Sequence, residues 1–429
     1  MSASAARHLY TLGWCLALPF AAAYLLLRSL RQPEYRRNWR ERFLGSGAGP
    51  AGAGAPVIWL HAVSVGETRA AQPLIERLAA RHPGAQFVLT HMTPTGRAAA
   101  QALLQAFAGR IAQRYLPYDL PFAVRRLLAQ VRPSILVLLE TEIWPNLLAE
   151  ARSAGVPIVL ANARLSERSL ARSLRWPALM QSAAACLSAI AAQTPADRAR
   201  WQKLYAGQIR VTGNLKFDAT PPAGQLAAGH AWRERLAGRA VWMFASTREG
   251  EERALIDALA AAPTDAVLLY VPRHPQRFDE VARLLAAAVG PVVRRAQFDA
   301  LSPASRVLLG DSMGEMAMYY AMSDVALIGG SLAPLGGQNL IEACACGCPV
   351  VFGPHMFNFS QAAADALACG AALQVPDAAA AVRVMLELQR DPERRGKMAQ
   401  AALAFAQAHR GATERTVELL DGLMAGAKA

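Results

Sequence analysis

Val57-Ile58-Trp59-Leu60-His61-Ala62-Val63-Ser64-Val65-Gly66-Glu67 reads as a short apolar strand that stops at a polar turn and passes into a helix. Short apolar runs at 57–63, 87–91, 135–139, 156–161, 189–193 and 209–213 recur with helical stretches between them. Strands separated by helices form βαβ units and therefore a parallel sheet. A polar, Pro/Gly-containing stretch, 217–239, breaks the rhythm, which resumes at 241–245, 266–271, 306–309, 324–328, 349–352 and 371–375. The chain thus reads as two Rossmann-like α/β domains, 57–216 and 240–429, joined by a linker at 217–239. The last helix is a candidate to pack back on the first domain. No repeat of about 20 to 50 residues is visible, which sets solenoids and propellers aside.

The bulk properties agree. At 429 residues the chain exceeds what one hydrophobic core usually serves, and with 53% apolar and 18% charged residues it is no disordered chain. The charge is +13, from 45 Lys and Arg against 32 Asp and Glu, and nearly all of it is arginine. Such an excess fits nucleic acid, anionic lipid or a small phosphorylated substrate. The arginines are scattered through helices with no aromatic-interleaved stripe, which disfavours nucleic acid. Cys15, Cys186, Cys344, Cys346, Cys348 and Cys369 have spacings that suit neither a disulfide framework nor a zinc site, so they read as reduced thiols.

Ahead of the first domain, 1–44 reads as a membrane anchor with a basic juxtamembrane segment, and 45–56 (GSGAGPAGAGAP) as a flexible Gly/Ala linker. Leu9 to Leu27 are 19 residues without a charge, about enough to cross ~30 Å of hydrocarbon. Pro19 and Gly13 weaken a span and leave a shallow interfacial anchor as the alternative. No small-residue cleavage site follows, and Arg28, Arg31, Arg36, Arg37, Arg40 and Arg42 hold the following chain on the cytoplasmic side of an inner membrane.

In open parallel sheets ligands bind beyond the carboxyl ends of the strands, so the site is sought in those loops and in a cleft between the two halves. Glu67 follows the first strand, where a less solvated carboxylate takes a proton from a hydroxyl; Ser64 and Glu67 also match a capping box, which spacing alone favours. His61 reads as a packed core histidine. Glu140 and Glu142 follow 135–139 and serve either substrate positioning or the helix dipole. In the second half, Ala245–Glu251 joins a strand to a helix. Arg273 and His274 end another strand between two prolines, an arrangement suited to phosphate or carboxylate. Ser312 is a candidate helix cap in Gly310–Glu315. In Gly329–Glu342, which includes Ser331, Gly337, Asn339, Leu340 and Ile341, paired glycines admit a phosphate to a helix start, and Glu342 suits ribose hydroxyls. No G-x-G-x-x-G follows a strand-like run, and there is no P-loop and no Asp-x-Asp pair, which disfavours dehydrogenases, P-loop NTPases and metal-dependent single-domain glycosyltransferases.

Eight stretches in order resemble the 3-deoxy-D-manno-octulosonic acid (Kdo) transferases of lipopolysaccharide synthesis: WLHAVSVGE (59–67), ETEIWPN (140–146), GNLKFD (213–218), ASTREGEE (245–252), VPRHPQRF (271–278), GDSMGEM (310–316), GGSLAPLGGQNLIEA (329–343) and FGPHMFNF (352–359). The resemblance implies a GT-B fold, CMP-Kdo as donor and the tetra-acylated lipid A precursor as acceptor, with no cofactor and no metal. It implies Glu67 as general base in an inverting transfer, with CMP held by Arg273, His274, Met313, Gly314, Glu315 and Asn339 to Glu342. The chain departs from the family where it has Arg248 and Gln338 in place of His and Ala343 in place of Pro. The competing readings are a GT-B transferase or epimerase acting on a UDP-sugar, and a catalytically silent nucleotide-binding scaffold. Anionic donor, phosphorylated lipid and an anionic membrane surface as partners all suit a basic chain.

Overall fold

The computed structural model describes residues 2–30, 32–47, 49, 54–107, 109–262 and 264–426. Arg31 of the basic cluster, and residues 48 and 50–53 of the Gly/Ala segment, lie outside the described residues. The chain divides into two compact units, one holding the described residues through Ala219 and those from Arg410 onward, the other Thr220–His409.

The first unit carries a seven-stranded parallel sheet: β1 (Val57–His61), β2 (Gln86–His91), β3 (Ile111–Tyr115), β4 (Ile135–Leu139), β5 (Ile158–Ala163), β6 (Ala189–Ala192) and β7 (Gln208–Val211), in the order β3-β2-β1-β4-β5-β6-β7. Every residue of β1 and β4 is buried, because helices cover both faces of a parallel sheet and leave no side for polar residues. Alternate residues feed separate cores: Trp59, Leu136 and Leu138 on one face, Ile58, Leu60, Val137 and Leu139 on the other. The second core also takes Ala412, Val417, Leu419 and Leu420 from the final helix, Ala412–Gly426. An apolar helix, Ala3–Ser29, is long and apolar enough to cross a membrane.

The second unit repeats the plan with β8 (Val241–Thr247), β9 (Val267–Pro272), β10 (Val292–Arg294), β11 (Val307–Leu309), β12 (Val325–Ile328), β13 (Val350–Phe352) and β14 (Ala372–Gln374), in the order β10-β11-β9-β8-β12-β13-β14. Both sheets reverse their winding beside their first strand, between β1 and β4 and between β8 and β12, and such switch points open crevices for ligands.

Each sheet has one strand more than the apolar runs announce. The additional strands are β3 (IAQRY) and β10 (VVR), each at one edge of its sheet, and polar residues break their apolar character. The stretch 217–239 holds the end of the turn Leu215–Asp218 and the helix Ala223–Glu234, which packs on Met316–Ala321. Gly229 sets that packing: a Cβ there would stand 2.3 Å from the Met318 carbonyl oxygen and 2.8 Å from Ala321 Cβ. Gly224, in the same helix, faces open space. Gly229→Ala therefore destabilises by about 1–3 kcal/mol, because the backbone clash outweighs the helix propensity gained. Gly224→Ala is neutral or stabilising. Denaturant unfolding of the two variants against the parent checks the contrast.

Candidate active site

In the first unit three carboxylates gather at the carboxyl ends of β1 and β4. Ser64 caps the helix Val65–Arg81, its Oγ accepting the Glu67 N–H at 3.4 Å and donating to Glu67 Oε1 at 3.1 Å. The Val63 N–H donates to Glu67 Oε2 at 2.8 Å. Ser64 therefore caps the helix, but the reciprocal half of the anticipated capping box is shifted, Glu67 accepting the N–H of Val63 and not that of Ser64. Capping does not exhaust the residue: Glu67 is half-buried, and its carboxyl is pushed up to about 7, first by burial and then by the negative charge of Glu140, against the Val63 and Ser64 hydrogen bonds. A carboxyl titrating there is poised for proton transfer near neutral pH.

Glu140 is buried at the end of β4 with φ +59°, a left-handed conformation that costs on the order of 1–3 kcal/mol and that the surroundings must enforce. Its Oε2 accepts from Arg164 Nε at 2.9 Å and its Oε1 from Lys216 Nζ at 2.7 Å. Burial works against ionisation, but Lys216 and Arg164 outweigh it and hold this carboxyl below its ordinary value. Lys216 is placed by a bulge in β5: Asn162, at φ +52°, accepts the Leu215 N–H at 3.0 Å and so fixes the turn Leu215–Asp218.

Glu142 accepts from Trp144 Nε1 at 2.7 Å, and burial raises its carboxyl, with Trp144 opposing and Glu140 adding. His61 Nε2 stands 3.9 Å from Glu142, yet this is no ion pair. The imidazole is fully buried, pushed down to about 3 first by burial and then by His91, and bonded through Nδ1 to Thr90 Oγ1 at 2.9 Å. It is a neutral core histidine, as its setting in an apolar strand implies.

In the second unit the loops after β8 and β12 are tied together by Glu251, whose carboxylate accepts the N–H groups of Arg248 (2.9 Å), Gly330 (2.7 Å) and Leu332 (3.2 Å). Gly329 has no room for a side chain, since a Cβ would lie 2.4 Å from the Ser246 carbonyl oxygen. Gly337 (φ +70°) donates to Gly330 O at 2.8 Å and Gln338 to Gly329 O at 3.0 Å, which folds the glycine segment back on itself. Asn339 Oδ1 caps the short helix Leu340–Ala345 by accepting the Ile341 N–H at 3.1 Å. Leu340 and Ile341 are buried, so this turn offers a ligand backbone groups, with half-buried Glu342 in its first turn. Ser331 is buried and its hydroxyl accepts the Gly353 N–H at 2.8 Å.

At the end of β9, Arg273 Nε donates to Gln338 Oε1 at 3.1 Å, which joins the β9 loop to the glycine segment. Burial lowers the His274 imidazole, and Arg248 and Arg273 lower it further against the opposing charge of Glu249. The neighbouring Arg277 is instead neutralised by a buried fork to Glu252 at 2.8 and 3.1 Å. After β11, Met313 is exposed and the Gly314 carbonyl accepts from Gln225 Nε2 at 2.9 Å. Glu315 is gripped by Arg295 through two bonds of 2.8 Å and by the Ser312 hydroxyl. These partners overcome burial and keep its carboxyl below the usual value.

The structure thus brings Glu67, Glu140 and Glu142 together, and joins Arg273 to Gln338 and Arg248 to the glycine segment. Glu315 and Glu342 are held separately. Arg164, Lys216 and Glu251 are the residues that reading the loops missed. Arg164 and Lys216 follow β5 and β7, so the rule that found Glu140 also reaches them; Glu251 looks like any acid in the first turn of a helix. Burial raises the Cys344 and Cys346 thiols to about 12, as expected of inert packed cysteines.

The first unit is matched over residues 37–219 by the family model of 3-deoxy-D-manno-octulosonic-acid transferase, and residues 291–405 by that of glycosyl transferases group 1. A 3-deoxy-D-manno-octulosonic acid transferase of Bordetella pertussis is 47% identical, covering 97% of this chain and 99% of its own length. One of Haemophilus influenzae is 35% identical over 96% and 98%. Among solved structures, Anabaena HepE in complex with UDP superposes with a TM-score of 0.59 at 16% identity, covering 86% of this chain and all of the other, a likeness of GT-B fold alone. Two parallel seven-stranded sheets, the matching family model and 47% identity over nearly the full length converge on one assignment: the chain belongs to the 3-deoxy-D-manno-octulosonic acid transferase family of glycosyltransferases.

Proposed function

We propose that the chain transfers Kdo from CMP-Kdo to the lipid A precursor (lipid IV-A) with inversion, at the cytoplasmic face of the inner membrane, in lipopolysaccharide biosynthesis. The observation that carries the reading is the Glu67 carboxyl, raised to about 7 by burial and by Glu140 at the carboxyl end of the N-terminal sheet. Glu67 takes the proton of an acceptor hydroxyl, the oxygen forms a bond to the anomeric carbon of Kdo, and the bond from that carbon to the CMP phosphate breaks, the electron pair leaving with CMP. Glu140 stays ionised between Arg164 and Lys216 and keeps Glu67 basic. Glu142 positions the acceptor directly, and Glu140 does so through Arg164 and Lys216, which occupy its oxygens. Arg273 and His274, the backbone of Met313 to Glu315, and the glycine segment from Ser331 through Gly337 to Asn339, Leu340, Ile341 and Glu342 hold the CMP moiety. Fixed donors and cations stabilise a departing phosphate without reorganisation. The net charge of +13 and the apolar helix Ala3–Ser29 support work on a phosphorylated lipid at an anionic surface.

Because Glu67 acts deprotonated, the rate rises with pH through about 7 and levels off above it. Glu67→Gln lowers kcat by roughly 10²- to 10⁴-fold while CMP binding persists. Glutamine keeps an acceptor for the Val63 N–H, so the cap survives the change. Kdo transfer by the purified full chain, with CMP binding measured in parallel, decides the matter, and an undiminished rate in the variant would remove Glu67 from the chemistry. Glu140→Gln takes away the negative charge beside Glu67 and leaves Arg164 and Lys216 unopposed. The rising limb of its pH–rate profile moves to lower pH; a limb that stays in place contradicts the coupling.

A further inference from the structure

The helix Ala3–Ser29 has two apolar faces, and only one of them is open. On the docked face Ala6 is buried, and Thr11 Oγ1 accepts from the fully buried Asn146 amide at 3.0 Å. The Trp14 ring lies 5.4 Å from that of Tyr118 and 6.5 Å from that of Trp144. Leu18, Ala21 and Leu25 continue this face onto a cluster with Tyr35, Trp39, Phe43 and Tyr118. Buried Ser29 ends it, accepting from Arg36 Nε at 2.9 Å. On the other face Leu9, Leu12, Leu16, Phe20, Tyr24 and Leu27, three or four residues apart, are each more than half exposed, Phe20 at 76%.

A helix that crosses a bilayer presents about 20 residues to ~30 Å of hydrocarbon. Here such a crossing would either strip Thr11 and Trp14 from their partners or carry the polar first turn of Pro145–Ser153 into hydrocarbon, where Asn146 and the Asp119 carboxylate hold it. The open stripe, by contrast, is too large an apolar surface to face water. Its flank is cationic: Arg28, Arg36, Arg37 and Arg40 are exposed just beyond it, the complement of an anionic headgroup layer. We propose that this helix does not span the membrane but lies along an anionic lipid surface, docked to its own domain on one side and sunk sideways into the acyl boundary by the Leu9–Leu27 stripe. This rests on the reading that the enzyme works at a membrane, and it fixes the side on which the N-terminus lies: the same as the catalytic body.

The test is the sidedness of residue 4 in the full chain. Ser4→Cys in a Cys15→Ala background is labelled with a membrane-impermeant maleimide, with exposed Cys369 as the marker of the body. In sealed inverted inner-membrane vesicles position 4 and Cys369 are expected to label together, and neither in intact spheroplasts. Labelling of position 4 in spheroplasts alone means that the helix spans and overturns the inference while the membrane reading stands. Recovery of the chain free of membranes overturns both. Should residue 4 be shielded, protease removal of an N-terminal tag in the same two preparations reads out the same sidedness. Leu16→Glu with Phe20→Glu is expected to weaken binding to phosphatidylglycerol vesicles at least tenfold. A pair that leaves vesicle binding intact and instead turns a dimer into a monomer shows that a second copy covers the stripe, and sinks the idea.

Discussion

The bond pattern around the buried Glu140 carboxylate governs the N-terminal site. A charge taken out of water must be paired and hydrogen-bonded to persist, and here both oxygens are taken, one by Arg164 and one by Lys216. Those partners come from the ends of β5 and β7, so one carboxylate pins three strand ends at a fixed spacing. The strained backbone of Glu140 and the bulge at Asn162 are local costs that this arrangement sustains. Its electrostatic product falls on its neighbours: a permanently ionised Glu140 makes a second ionisation close by unfavourable, and both Glu67 and Glu142 feel it.

Glu251 does comparable work in the second unit with a different chemistry. It draws three backbone N–H groups from two loops onto one carboxylate, and that fixes the glycine segment where Gly329 passes Ser246 with no space for a side chain. Arg273, anchored by Gln338, and His274 then project from a strand end whose direction the two prolines restrict. The Gln338 amide oxygen accepts from Arg273 as a neutral group, so the contact needs no particular protonation state.

Most strands and their parallel arrangement were legible because buried parallel strands such as Ile135–Leu139 are apolar on both faces and stop abruptly at the loop, whereas their order in the sheet was not. Ile111–Tyr115 and Val292–Arg294 were not, since Gln113, Arg114 and Arg294 interrupt runs that are only five and three residues long. Glu67, Glu140 and Arg273 could be found from their place after a strand, whereas the coupling among them could not: which cation reaches Glu140 depends on a bulge at Asn162 that no periodicity encodes. The two readings of Ser64 and Glu67 proved compatible, because a carboxylate that satisfies a helix start can still be desolvated by what surrounds it. Hydropathy announced the helix Ala3–Ser29 but not that one of its faces is already occupied.

That occupied face has a practical consequence. Trp14 packs against Trp144, and Trp144 holds the Glu142 carboxylate through its indole N–H. Shortened versions that delete the first helix for ease of purification would bare Tyr118 and Trp144 and loosen the indole that holds the Glu142 carboxylate, so a low turnover number from such a fragment would report damage to the enzyme and not merely its separation from lipid.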